Sequence, residues 1–224
     1  MFSEFVDAFP DAQVADGFYG GRDRLEDMAE FVMRRLSGPL NLIGHSMGAR
    51  VALEIIRRAP ERVARLALVD TGVHPVAAGE EDKRLAIQQL GRDQGFETLV
   101  DAWLPPMLSP AARRDKVLVS RLRTMCLSAG LTTFEAQTRA LLARRSVEHL
   151  LGSITCPVHC IVGQLDEWSP PSQHRKIASL IPGAMLQIVE GAGHMLPCEQ
   201  PNAFNKSIAA WLAEPITSAS ANQS

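Results

Sequence analysis

The chain has 224 residues, 46% of them hydrophobic and 21% charged, with a formal net charge of -2. That length fits one sizeable domain with room for an insertion, and the near-neutral charge gives no electrostatic reason to bind nucleic acid or an anionic membrane. No apolar run approaches the roughly 20 residues that span a bilayer, and the opening segment carries Glu4 and Asp7 where a leader would be positive, so a cytoplasmic protein is expected.

Phe2, Phe5, Val6 and Phe9 recur at helical spacing before Pro10, which predicts a short amphipathic helix. A strand is expected around Ala12–Phe18, ahead of Gly20-Gly21. Leu25, Met28, Ala29, Val32 and Leu36 predict a helix over Arg22–Leu36, ended by Ser37-Gly38-Pro39. Leu40–Ile43 is a brief apolar run that breaks into Gly44-His45-Ser46-Met47-Gly48. Beyond it Ala49, Ala52, Leu53 and Ile56 mark a helix that stops before Pro60. Arg65–Val69 reads as a buried strand closed by Asp70-Thr71-Gly72. Strands alternating with helices predict a mostly parallel α/β sheet covered on both faces.

From His74 to Gly152 the alternation stops, and the segment reads as helical and rich in arginine. Ser109-Pro110 supplies a cap and a first-turn proline, and Thr132–Glu135 reads as a capping box. Alternation resumes with a strand at Val158–Val162, a helix near Ser172–Leu180 and a strand at Met185–Val189. A last helix carries Phe204, Ile208, Trp211 and Leu212 on one stripe. The expected division is a first core part over 1–73, a helical insertion over 74–152, a second core part over 153–214, and a Ser/Ala/Asn-rich tail over 215–224 that is expected to be disordered.

Gly44-x-Ser46-x-Gly48 between a buried strand and an amphipathic helix has the form of a nucleophile elbow. Such a tight strand–turn–helix is expected to leave no room for side chains at Gly44 or Gly48. A serine hydroxyl needs a base, and the base needs an orienter. Asp166 closes the strand-like run Ile161–Asp166, and His194 sits in the glycine-rich Glu190–His194 loop after the next strand, so both fall at carboxyl ends of strands. Asp70 also ends a strand and is the alternative acid. The N–H of Met47, at the start of the helix, is the expected oxyanion donor. His45 is expected to support the turn, and His74, His149, His159 and His174 to be core or surface residues. Trp168 fits either the pocket wall or the surface, and the arginines of Arg113–Arg123 and Arg139–Arg145 read as a solvated helix face. Cys126, Cys156, Cys160 and Cys198 form no CxxC pair, so reduced thiols are expected ahead of a zinc site.

Three blocks, Gly44–Gly72, Ile154–Pro171 and Ile181–Pro201, stand in the order in which the α/β-hydrolase superfamily carries them. The chain resembles bacterial esterase and lactonase-like members of it, over Phe2 to about Ala213. The resemblance implies an α/β-hydrolase fold with a helical cap at His74–Gly152, and a Ser46–Asp166–His194 triad acting without metal or organic cofactor. The implied partner is a small-molecule ester, lactone or thioester. In that superfamily a strand and an oxyanion loop, usually with His-Gly, precede the first helix, and nothing like them lies between Met1 and Ser46. N-terminal strands and the oxyanion loop are therefore expected to be missing, through a mis-assigned start, a truncated gene or a rearranged sheet, with the elbow strand left as an exposed edge. Carbon–carbon bond hydrolysis or a cofactor-free elimination by the same triad, and a non-catalytic hydrolase-fold protein, stand as alternatives. A haloalkane dehalogenase would carry Asp where this chain has Ser46.

Overall fold

The computed structural model describes residues 2–215, so all but Pro215 of the expected tail lies outside the described residues. The centre is a four-stranded parallel sheet in the order β1 (Leu40–His45), β2 (Val63–Val69), β3 (Val158–Gly163) and β4 (Met185–Val189). Successive side chains on β2 point to opposite faces and find separate cores. Leu66 and Leu68 join one cluster with α2 (Leu25–Arg35), α3 (Met47–Arg58) and α7 (Pro171–Leu180). Ala67 and Val69 join the other, with Phe5 of α1 (Ser3–Ala8) and Phe204, Ile208 and Trp211 of α9 (Pro201–Ala213). Burial on both faces is why the Leu66–Val69 end of β2 is apolar at every successive position.

Between β2 and β3 the regular structure is helical: α4 (Glu80–Gln94), α5 (Phe96–Trp103) and α6 (Lys116–Leu142), with short 3-10 turns among them. This segment has its own apolar cluster, built on Leu99, Val100, Leu104, Met107 and Leu122, and the cluster also takes in Met195 from beyond β4. Its two ends are tied together. Val147 N–H donates to the Val73 carbonyl at 3.2 Å, and the buried Arg144 pairs with Glu80 while donating to the carbonyls of His74 and Pro75. Arg144 therefore departs from the solvated helix face expected of it.

Other local expectations are corrected. Ala12–Phe18 is not a strand. A strand needs a ladder partner, and none of the described residues pairs with this segment. It runs into a 3-10 turn at Gly17–Gly21, where Phe18, Tyr19 and Gly20 hold φ of 49°, 56° and 62°. Helix α2 begins at Leu25, not Arg22, because Arg22 is extended and its guanidinium donates to the Tyr19 carbonyl. Strand β2 begins two residues early, at Val63. Ser109 does cap a short turn, accepting from Ala112 N–H at 3.2 Å. The N-cap of α6 is Asp115, whose carboxylate accepts from Val117 and Leu118, and this helix breaks at Gly130 (φ 77°) just before Thr132. Strand β1 pairs with β2 on one side, and among the described residues nothing pairs with its other side. No helix of these residues is long and apolar enough to cross a membrane.

Leu53 of α3 is fully buried in the first cluster. Leu53→Ala is expected to cost about 2–5 kcal/mol, because the site can only partly collapse around the lost volume. Urea unfolding would read this as a lower midpoint at unchanged m-value.

Candidate active site

Ser46 joins β1 to α3 with φ 52° and ψ -114°, a backbone conformation that L side chains rarely adopt. Its neighbours fix it there. Ser46 N–H donates to the Val69 carbonyl at 2.8 Å, and the Ser46 carbonyl accepts from the Thr71 hydroxyl at 3.0 Å and Ala49 N–H at 3.2 Å. A Cβ on Gly44 would lie 2.5 Å from both Cα and N of Ala49, so the strand can enter the turn only as glycine. Gly48 differs from the expectation. A Cβ there would meet only the Tyr19 hydroxyl, at 3.4 Å, so backbone sterics do not demand that glycine.

The loops after β3 and β4 bring two more groups to Ser46. His194 Nε2 lies 2.9 Å from Ser46 Oγ, and His194 Nδ1 lies 2.9 Å from Asp166 Oδ2. The other oxygen of Asp166 accepts from Trp168 N–H at 2.8 Å and Ser169 N–H at 2.9 Å. A carboxylate on Nδ1 puts the ring proton on that nitrogen and leaves the Nε2 lone pair facing the serine hydroxyl. Both groups are buried, Asp166 2% and His194 4% exposed. Burial works against the Asp166 carboxylate, but the His194 hydrogen bond and charge and the two N–H donors hold it below the ordinary aspartate range. Burial likewise disfavours the imidazolium, yet Asp166, with Asp70 and Glu199 further off, holds His194 above the ordinary imidazole value. Met47 opens α3, so its N–H belongs to the first turn, where the helix itself supplies no acceptor.

Asp70, the alternative acid, is not at Nδ1. It ends β2 at φ 45°, accepts from Gly163 N–H through Oδ1, and lies with Oδ2 3.5 Å from His45 Nε2. Burial pushes its carboxyl above the usual range. His45 Nε2 also lies 2.6 Å from the His194 carbonyl, so it carries its proton there and ties the loop after β4 to the end of β1. This is more than support of the turn. His174 accepts from Thr71 N–H, and burial lowers it to about 4. His159 pairs with Ser207 in the core and is lowered by burial to about 4, while His74 is half-buried and His149 exposed.

Sequence reasoning also missed Arg50 and Glu199. Arg50 is a buried guanidinium on α3, pulled down to about 9 by burial and the neighbouring Arg144, and it donates to the His74 carbonyl. Arg50 lies about 100° around the helix from Ala49, off the Ala49–Ala52–Leu53–Ile56 stripe, so the sequence carried no local signal of its burial. A cavity of 1630 Å³ opens over Ser46 and His194 and continues along β1 to Pro10–Tyr19. Trp168, 40% exposed, lines it and stacks on His194 at 5.9 Å. Trp103 stands edge-on to Trp168 at 6.3 Å and to Phe134 at 5.2 Å, so an aromatic wall runs from the imidazole into the helical segment.

A model of the alpha/beta hydrolase family matches residues 7–207. The chain is 30% identical over 199 residues to the pimeloyl-[acyl-carrier protein] methyl ester esterase of Photobacterium profundum, covering 83% of this chain and 75% of the relative. It is 28% identical over 214 residues to a Bacillus subtilis protein provisionally named a 2-succinyl-6-hydroxy-2,4-cyclohexadiene-1-carboxylate synthase, covering 90% of this chain and 76% of the relative. Among solved structures, a thermophilic esterase from Thermogutta terrifontis superposes with a TM-score of 0.79 at 28% identity, over 90% of this chain and 75% of that one.

The two glycines of the elbow give opposite expectations. Gly44→Ala should prevent the turn from closing and leave little folded protein, whereas Gly48→Ala should fold with a stability change within about 1 kcal/mol. Thermal unfolding of the two variants checks both, and equal tolerance would contradict the packing described above.

Proposed function

The chain belongs to the alpha/beta hydrolase family, and on that premise we propose that it is a serine hydrolase acting on a small carboxylic ester, lactone or thioester. The observation that carries this reading is the unbroken hydrogen-bonded series from Ser46 Oγ through His194 to Asp166. Ser46 Oγ attacks the carbonyl carbon as His194 Nε2 takes its proton, and Asp166 stabilises the imidazolium through Nδ1–H. The Met47 N–H donates to the developing oxyanion. Collapse of the tetrahedral intermediate breaks the bond to the alcohol or thiol, which leaves with the proton from Nε2 and gives an acyl-serine. Water, deprotonated by the same nitrogen, then releases the acid and restores Ser46 Oγ–H. Every step uses groups of this chain and water. In this reading 74–152 is the cap that walls the pocket, and Trp168 and Trp103 contact the substrate.

The names of the esterase relatives accord with ester cleavage. The synthase name of the other relative favours a second reading, in which the same Ser46–His194 pair removes a proton from a carbon acid and an elimination follows. Product analysis separates the two: hydrolysis incorporates one water oxygen into the acid released, whereas elimination incorporates none.

A fluorophosphonate probe is expected to add one phosphonyl group to the protein, seen by intact mass, and Ser46→Ala or His194→Ala should abolish the labelling. A folded wild-type chain that takes no label would sink the hydrolase reading and bring forward the non-catalytic alternative.

Because His194 must be neutral to accept the proton and its pKa is raised, kcat/KM should climb with pH through a limb above 6.5. Asp166→Asn removes the main cause of that shift, so the limb should move to lower pH and kcat should drop by about 10³–10⁴. Asp70→Asn, which leaves the partner of Nδ1 in place, should do far less to either. A larger loss with Asp70→Asn would assign the acid role to Asp70.

A further inference from the structure

The loop carrying His194 is fastened to the helical segment between β2 and β3 as well as to the sheet. His194 N–H donates to the Met107 carbonyl at 2.8 Å. Glu199, the last residue of α8 (Leu196–Glu199), accepts three backbone N–H groups with one carboxylate. Gly193 N–H and Ser109 N–H, each at 3.0 Å, meet Oε2, and Met195 N–H meets Oε1 at 3.1 Å. Two of these donors flank His194 in sequence, and the third comes from the helical segment. The packing leaves no slack: a Cβ on Gly193 would lie 2.7 Å from Ser109 N and 2.9 Å from the Met107 carbonyl oxygen. Met107, Ser109 and Met195 are all buried, so water is a poor substitute partner for these donors.

We propose that Glu199 is a positioning residue for His194, its carboxylate clamping the backbone on either side of the imidazole to Ser109 so that the ring is aligned on Ser46 only while the helical segment is seated. The proposal rests on the assignment of His194 as the base. A carboxylate suits the task because it is acceptor-only, with two oxygens and about four lone-pair sites for three donors. Glutamine at the same place presents an NH2 group to at least one of those N–H groups, turning attraction into a donor–donor contact. The Glu199 charge also helps hold the imidazolium. The other titratable groups facing His194 are Asp166 on Nδ1, His45 against the ring and its carbonyl, Asp70 behind His45, and His174 beyond Asp166.

The test compares wild type with Glu199→Gln and Glu199→Asp, after near-ultraviolet circular dichroism has confirmed native packing. Two readouts need no turnover: amide hydrogen exchange of His194 and NMR titration of its ring, assigned with His194→Ala. Glu199→Gln should exchange the His194 amide at least about tenfold faster, as one lost hydrogen bond implies, and titrate at lower pH. In Glu199→Asp the charge is kept but the reach is lost, so exchange should still quicken while the titration stays near wild type. With an activated ester, kcat of Glu199→Gln should fall roughly 10- to 100-fold at nearly constant KM, as expected of a base displaced by a fraction of an ångström to 1 Å. Wild-type protection of the His194 amide in Glu199→Gln would overturn the proposal, and so would an unchanged kcat. Failure of wild type to label at Ser46 would instead sink the hydrolase reading, with exchange and titration still deciding whether Glu199 holds the loop.

Discussion

Ser46 sits at φ 52°, ψ -114°, and the rest of the site depends on keeping it there. A non-glycine residue in such a conformation costs on the order of 1–3 kcal/mol and persists only where its surroundings over-determine it. Here those surroundings are the β1–β2 register and the helix that follows. The pairing of His45 with Val69 carries Ser46 N–H onto the Val69 carbonyl, and Thr71, just past β2, returns its hydroxyl to the Ser46 carbonyl. The missing side chain at Gly44 lets Ala49 close over the strand. Burial of the β2 face residues and of α3 in one cluster thus supplies the free energy that holds a strained hydroxyl at the end of a strand.

Around that hydroxyl the buried charges are arranged so that each proton has one favourable place. Two aspartates and three histidines lie together at the carboxyl ends of the strands. Asp166 receives His194 Nδ1–H and two backbone N–H groups, which favours its ionised form. Asp70 receives one N–H on Oδ1, while its Oδ2, 3.5 Å from His45 Nε2, has no hydrogen-bond partner among the described residues, too little to offset complete burial. His174 takes a backbone N–H on Nε2, so its own proton sits on Nδ1 and the ring stays neutral. The environments of the two aspartates push their pKa values in opposite directions, Asp166 down and Asp70 up. Asp166, not Asp70, stands at Nδ1 of His194.

Much of this was legible in the sequence, and the limit has a physical form. Val158–Val162 is a local run whose burial on two faces leaves a direct signature, and the structure places β3 on it, while β4 falls on Met185–Val189, where only Val189 is buried. Ser46, Asp166 and His194 could be found because each follows such a run, so that topology alone gathers them at one end of the sheet. Ala12–Phe18 misled because extended backbone becomes a strand only with a partner, a non-local condition. The positive φ of Phe18 and Tyr19 has no local signal at all. Arg144 looked like one more solvated arginine, because its burial depends on Glu80 and on the carbonyls of His74 and Pro75, more than sixty residues away. Glu199 escaped for the same reason, since one of its donors, Ser109, lies 90 residues off.

The contacts that sequence could not show are those joining the helical segment to the sheet, and they fall at two separated places. At the neck, Arg144 and the Val147–Val73 hydrogen bond close the segment on itself near Arg50. Above the imidazole, Glu199 and Met107 fix the His194 loop, and Trp103 meets Trp168 edge-on beside it. A segment held at both places cannot lift away from the sheet as a rigid lid without moving the histidine loop. Any opening that leaves His194 in place must therefore come from the part between the anchors. The helix break at Gly130, where φ is 77° and a Cβ would meet nothing within 4 Å, lies in that part, close to Phe134 at the far end of the aromatic wall.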